Sequence, residues 1–185
     1  MHSIAVFASG EGTNFEAIAS ACERGELPAR VALLVCDKPG ARCIARAERY
    51  GIPVFAFSPK QYASKAEYEQ EIVRLLDEAG VELVCLAGYM RIVGERLLES
   101  YEGRIINIHP SLLPAFRGAR AVEQAIEYGV KVFGITIHRV DASLDGGRII
   151  AQKAFEYDGT DAEEVHRIGQ RIEHKLYVET IKQLL

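Results

Sequence analysis

Residues 104–114 read RIINIHPSLLP, and this stretch indicates both the class of fold and the place of the chemistry. Its isoleucines form the kind of apolar run that fills the middle of a parallel sheet. Asn107 and His109 interrupt the run two residues apart, and positions i and i+2 of a strand point to the same face. Pro110 ends the strand because it has no N–H to donate to a neighbour. We therefore expect an amide and an imidazole side by side where open α/β sheets bind ligands, at the carboxyl end of a strand.

The rest of the chain alternates apolar strands with amphipathic helices. Further strands are predicted at residues 3–8, 31–36, 54–57, 83–86, 132–140 and 149–155. Capping boxes predict where three helices begin, and their residue pairs are Thr13 with Glu16, Ser64 with Glu67, and Thr160 with Glu163. This order predicts an α/β, Rossmann-like fold, in which helices cover both faces of a mostly parallel twisted sheet and a long C-terminal helix follows.

The composition is that of an ordinary soluble globular domain, with 49% apolar and 26% charged residues among 185. The net charge of -4 argues against general affinity for nucleic acid or an anionic membrane, and it is compatible with a monomer or a homodimer. Neither a signal peptide nor a transmembrane stretch is recognisable. The four cysteines contain no C-x-x-C pair, so we expect reduced thiols, no metal site and a cytoplasmic protein.

The loop SGEGTN at residues 9–14 leads from the first strand into the first helix. Such a turn exposes backbone N–H groups at the positive end of the helix dipole, which favours an anion. Residues 12–14 suit a single phosphate monoester. The loop also half-matches the dinucleotide fingerprint, with Asp37 where a ribose-binding acid would stand, so a nicotinamide-dependent oxidoreductase stays open although Phe15 replaces the third glycine. A tight turn that binds nothing is a third interpretation.

An imidazole, a carboxamide and a carboxylate that meet in a cleft suit acyl transfer. His109 can exchange protons with the attacking and leaving nitrogens, and Asn107 can donate to a carbonyl oxygen as it becomes an oxyanion. Asp145, in the loop DASLDGG at residues 141–147, would orient His109. No serine or cysteine is placed as a nucleophile, so we expect direct attack by the acceptor. His138 lies inside a strand and is expected to be structural.

NIHPSLLP, followed about 35 residues later by LDGG, closely resembles the 10-formyltetrahydrofolate-dependent formyltransferases. The loop SGEGTN, the segment CLAGYMRI and IEHKLY in the last helix extend the resemblance over essentially the whole chain. They favour the branch of the family that acts on phosphoribosylglycinamide. The resemblance implies transfer of a formyl group from 10-formyltetrahydrofolate, as co-substrate, to the glycyl amine of that small molecule in de novo purine biosynthesis.

The resemblance also implies roles for individual residues. The catalytic residues it implies are Asn107, His109 and Asp145. Those for the substrate phosphate are Gly12, Thr13 and Asn14, and further substrate contacts are Gly88, Pro110, Gln170 and Glu173. The folate pocket would contain Lys65, Met90, Arg91, Ile92, Val93, Val140, Asp141 and Leu144. Arg120 stands where the family commonly has a histidine, which is a departure from the pattern.

These assignments predict one formyltransferase domain over residues 1–185, with a phosphate-binding half at 1–101 and a catalytic and folate-binding half at 102–185. Two related enzymes fit less well. Methionyl-tRNA formyltransferase carries a C-terminal RNA-binding domain, and formyltetrahydrofolate deformylase usually carries an N-terminal regulatory domain. We expect neither of these domains in this chain. A non-catalytic nucleotide-binding module would explain the loop at residues 9–14 but would leave Asn107, His109 and Asp145 without a purpose.

Overall fold

Seven strands form a single sheet in the computed structural model, which describes residues 1–185 of the chain. The strands are β1 (His2–Phe7), β2 (Ala29–Cys36), β3 (Val54–Ala56), β4 (Leu83–Leu86), β5 (Ile105–His109), β6 (Val132–Arg139) and β7 (Ile149–Glu156). The helices are α1 (Thr13–Glu23), α2 (Arg42–Arg49), α3 (Lys65–Glu78), α4 (Glu95–Ser100), α5 (Ala121–Tyr128) and α6 (Ala162–Leu184). Every predicted strand is therefore present.

The strands lie in the order β3-β2-β1-β4-β5-β6-β7. β1 to β5 pair in parallel, and β6 and β7 add antiparallel pairs at one edge. The first five strands have the doubly wound order, whose direction of winding reverses between β1 and β4. The prediction of a Rossmann-like, mostly parallel sheet is confirmed.

Helices cover both faces of the sheet, because the central strands are apolar on both sides. On β1, Ile4 and Val6 belong to one core with residues of α1, α2 and α6. The alternate residues Ala5 and Phe7 pack into a second core with α3 and α4. Ile106 and Ile108 of β5 join the first core, so Asn107 and His109 point to the opposite face.

The long helix α6 is fixed beneath the middle of the sheet by Tyr177. This side chain is fully buried, and its hydroxyl donates a hydrogen bond to the Leu86 carbonyl at 2.8 Å, with the Ile106 carbonyl 3.4 Å away. Burial raises the pKa of the Tyr177 hydroxyl well above its ordinary value, so it stays protonated and remains a donor. The helix is thereby attached to β4 and β5 at once.

Two of the three predicted capping boxes are wrong. Helix α1 does begin at Thr13, but its N-cap is Gly12, and no side chain caps it. Helix α6 is capped one residue later than predicted, by Asp161, whose carboxylate accepts from the Glu163 N–H at 3.0 Å.

The third predicted cap is confirmed, although its geometry differs in part. Ser64 Oγ accepts from the Glu67 N–H at 3.2 Å, whereas the Glu67 carboxylate accepts from the Ala63 N–H instead of that of Ser64. Helix α4 was not predicted at all. Its six residues are too few to show a helical period, and the buried Glu69 fixes its start by accepting from the Gly94 N–H at 2.6 Å.

Candidate active site

Four polar side chains meet on one face of β5 and β6. Asn107 Nδ2 lies 3.2 Å from His138 Nε2, and this ring nitrogen lies 3.7 Å from Asp145 Oδ1. The other oxygen of Asp145 lies 3.6 Å from His109 Nδ1. The carboxylate therefore stands between two imidazoles, and the three residues predicted to converge on a cleft do lie together.

The contacts of His109 fix which of its nitrogens can act as a base. The residue is 5% exposed, and Nε2 of its ring lies 2.8 Å from the Phe116 carbonyl oxygen. A carbonyl can only accept, so Nε2 must carry the hydrogen. The neutral ring then has its free lone pair on Nδ1, the nitrogen that faces Asp145. A hydrogen on Nδ1 would therefore point toward the Asp145 carboxylate.

His138 belongs to this cluster, although sequence reasoning left it as a structural residue. Its Nδ1 donates to the Arg139 carbonyl at 2.8 Å, so Nε2 is the acceptor for the Asn107 amide. Burial lowers the pKa of His138, which keeps the ring neutral and able to accept. The sequence indicated only that His138 lies inside a strand, and the register that sets it opposite Asn107 is visible only in the sheet.

Asp145 is held in place by its own loop. Its backbone has φ of 48°, in the left-handed region that few residues other than glycine adopt, and its Oδ2 accepts from the Gly118 N–H at 2.8 Å. Two residues later, a Cβ added to Gly147 would lie 1.9 Å from the Arg139 carbonyl oxygen. Only glycine lets the loop close against β6 at that point.

The predicted phosphate loop meets the last helix. Asn14 Nδ2 donates to Glu173 Oε2 at 2.9 Å, and Gln170 Nε2 donates to Thr13 Oγ1 at 3.0 Å. Gly12 has φ of 73°, and a Cβ there would lie 2.5 Å from Cys43 Cβ, so the loop needs glycine for its close approach to α2. Because no side chain caps α1, its first backbone N–H groups keep no side-chain partner.

The buried oxygen Oδ1 of Asn14 has no hydrogen-bond partner. Gly88 has φ of 77° in the loop after β4, and Pro110 is half-buried directly after His109. Arg120 is exposed at the N-cap of α5.

The predicted folate residues lie on three segments and present mainly apolar and cationic groups. Met90, Ile92 and Leu144 are exposed by 71%, 66% and 56%. Val93 is buried and Val140 packs against the second core. Lys65 Nζ donates to the Ile92 carbonyl at 2.8 Å. The remaining two residues have polar contacts: Arg91 pairs with Asp37, and the Asp141 carboxylate accepts from the Ser143 N–H at 2.8 Å.

The contact between Arg91 and Asp37 bears on the dinucleotide interpretation. The Asp37 side chain is 1% exposed and is already paired, so it is not open to a ribose. The structure contains no group of three His, Cys, Asp or Glu side chains placed to hold a metal ion. None of its helices has the length and apolar character needed to cross a membrane.

Comparison with known proteins shows a similarity to formyltransferases along almost the entire chain. A family profile described as Formyl transferase matches residues 2–181. The phosphoribosylglycinamide formyltransferase of Bacillus subtilis is 55% identical, in an alignment that covers 100% of this chain and 95% of that protein. The protein of the same name from Haemophilus influenzae is 37% identical over 98% of this chain and 86% of its own length.

A solved structure is similarly close. The crystal structure of glycinamide ribonucleotide transformylase 1 from Geobacillus kaustophilus superposes with a TM-score of 0.97 at 52% identity, and it covers 100% of this chain and 99% of that one. The resemblance predicted from NIHPSLLP and LDGG is confirmed. The chain therefore belongs to the formyl transferase family and is an enzyme of formyl transfer.

Proposed function

We propose that the chain transfers the formyl group of 10-formyltetrahydrofolate to the glycyl amine of phosphoribosylglycinamide, as a step of de novo purine biosynthesis. The observation that carries this proposal is the cluster of Asn107, His109, His138 and Asp145. In it, the Asn107 amide can donate a hydrogen bond to a carbonyl oxygen, and the His109 imidazole, a base, lies beside the Asp145 carboxylate. The relatives named above support the acceptor, since two of them are called phosphoribosylglycinamide formyltransferases. We further expect the reaction in the cytoplasm, by a monomer or a homodimer without nucleic-acid or membrane partners.

The acceptor side is supported by the meeting of the first loop and the last helix. The uncapped N-terminus of α1, with Gly12, Thr13 and Asn14, offers backbone N–H groups to the phosphate. Glu173 and Gln170, which already bond to that loop, can accept from or donate to the sugar and amide groups of the same ligand. Gly88 and Pro110 complete the proposed acceptor site.

The donor side is supported by the chemistry of its candidate residues. A folate combines a flat fused ring with an anionic tail. The exposed apolar side chains of Met90, Ile92 and Leu144, backed by Val93 and Val140, suit the ring. The cationic groups of Arg91 and Lys65 suit the tail, and Asp141 lies on the loop that also carries Asp145.

The cluster can stabilise both the charge and the proton that the reaction moves. One hydrogen of Asn107 Nδ2 is engaged by His138, so the second is free to donate to the formyl oxygen as it gains negative charge. A donor of this kind contributes about 3–4 kcal/mol to the transition state. Nδ1 of His109 takes the proton lost by the attacking amine and returns it to the leaving nitrogen, while Asp145 stabilises the cation in between.

The experiment is to mix the chain with 10-formyltetrahydrofolate and to follow the folate absorbance with phosphoribosylglycinamide present or omitted. Turnover should require that acceptor. The variant His109→Ala should lose at least about 100-fold in turnover, because general acid–base catalysis typically supplies that much, while its thermal unfolding stays that of a folded protein. Equal turnover in water alone would indicate a deformylase, and no turnover with either acceptor would refute the proposed reaction.

A further inference from the structure

Asp37 is a buried residue whose carboxylate bonds to two loops at the carboxyl edge of the sheet, the loops after β1 and β4. It follows β2, and its side chain is 1% exposed. One carboxylate oxygen accepts a hydrogen bond from Ser9 Oγ, and the other accepts from Arg91 Nε at 2.8 Å. Burying a carboxylate is costly unless its charge is paired and hydrogen-bonded, and here both requirements are met by side chains of the loops after β1 and β4.

Ser9 extends this link to the backbone of the second loop. Its Oγ accepts from the Met90 N–H at 2.9 Å, and its own N–H donates to the Gly88 carbonyl at 3.1 Å. The segment at residues 88–91 is thus held at a carbonyl, an N–H and a guanidinium, all by Ser9 or Asp37. A segment fixed in this way loses little conformational freedom when a ligand binds to it.

The groups held by this arrangement are exposed. Met90 is 71% exposed and Ile92, two residues later, is 66% exposed, and a patch of exposed apolar side chains can mark a binding site. Arg91 is 39% exposed and uses Nε for its one ion pair, so its two terminal amino groups lie outside that pair. The buried acid therefore fixes a segment whose outer side offers an apolar and a cationic group.

We infer that Asp37 is a positioning residue for the formyl donor. It holds Ser9 and Arg91, and through them it presets Met90 and Arg91 as part of the wall against which a fused ring and an anionic tail bind. The inference rests on the proposed function, since it takes 10-formyltetrahydrofolate as the donor. Because Asp37 is buried, it acts through its two partners and does not touch the donor.

The test compares steady-state constants of the wild type, Asp37→Asn, Arg91→Ala and the double variant, with thermal unfolding measured for each. Asp37→Asn should raise the KM for 10-formyltetrahydrofolate about tenfold, equivalent to about 1.4 kcal/mol. The acceptor KM and kcat should stay within about twofold, which a general loss of structure would not produce. In the double variant the effects should be clearly less than multiplicative, because both changes remove the same link.

Asp77→Asn is the matched control. Its carboxylate also accepts a side-chain hydrogen bond, from the Tyr101 hydroxyl at 2.9 Å, but bonds to no part of residues 88–91. All constants of this control should stay within about twofold of wild type. An unchanged donor KM in Asp37→Asn, an equal rise of both KM values, or multiplicative effects in the double variant would overturn the inference.

If Asp37→Asn does not fold, Ser9→Ala tests the inference in its place. This variant should raise the donor KM about threefold, because one hydrogen bond to Asp37 is lost. An unchanged donor KM would overturn the inference. The two proposals fail in different ways. A wild type that does not use 10-formyltetrahydrofolate refutes the proposed function and this inference with it. A wild type that turns over, with Asp37→Asn identical to it, refutes this inference alone.

Discussion

Replacing His138 by leucine should slow the chemical step more than it weakens substrate binding. The ring makes two hydrogen bonds, at 3.2 Å from Asn107 and at 2.8 Å to the Arg139 carbonyl. Without the first, the Asn107 amide is free to rotate away from the formyl oxygen. The whole donor is worth a factor of about 10²–10³ in kcat, so losing its orientation alone should cost about ten- to hundredfold, or about 1.4–2.7 kcal/mol.

The same variant should also be less stable, because two neutral hydrogen bonds at about 0.5–1.5 kcal/mol each are lost. The assay is kcat with both substrates saturating, together with urea unfolding of the same preparation. His2→Leu is the control, since that ring bonds to Glu82 at 2.8 Å at the start of β1, away from the cluster. A kcat within about threefold of wild type in folded His138→Leu would refute the idea that this ring orients Asn107.

Three further predictions follow from the contacts of the site. Asp145→Asn keeps the size of the side chain but not its charge, so kcat should fall about hundredfold in steady-state turnover because protonated His109 loses its counter-ion; an unchanged kcat would remove the carboxylate from the mechanism. Asn14→Ala loses the bond to Glu173 and should raise the KM for the phosphorylated acceptor about tenfold, whereas a rise in the folate KM instead would show that the two sites had been assigned the wrong way round. Burial lowers the pKa of His138, so unfolding takes up a proton below about pH 6.5; the free energy of unfolding, measured with urea, should therefore fall as the pH drops below that value, and the slope should be smaller in His138→Leu.

The strands were predictable because the central part of the sheet is buried on both faces and therefore reads as apolar runs. The antiparallel pairing of β6 with β5 was not, since alternation gives the strand but not its neighbour. That pairing is what brings His138 against Asn107. The contact between Asn107 and His138 could therefore not be predicted, because the sequence shows the faces of strands and not their register.

The start of a helix was harder to predict than its existence. Thr13 and Glu16 have the spacing of a capping box, but Thr13 lies already inside α1 because Gly12, with its positive φ, makes the turn. Thr160 was displaced by Asp161, a neighbouring residue that caps equally well. In both places two residues competed for one position, and only the path of the backbone from the preceding strand decides between them.

The bond between Asn14 and Glu173 spans 159 positions of the chain. A ribosome therefore makes the loop at residues 9–14 early, and adds its partner on α6 only after every strand has been synthesised. A premature stop ahead of α6 would leave His109 and Asp145 in the product but remove Glu173 and Tyr177. Under the proposed function, such fragments would lack Glu173, one of the residues proposed to contact the acceptor.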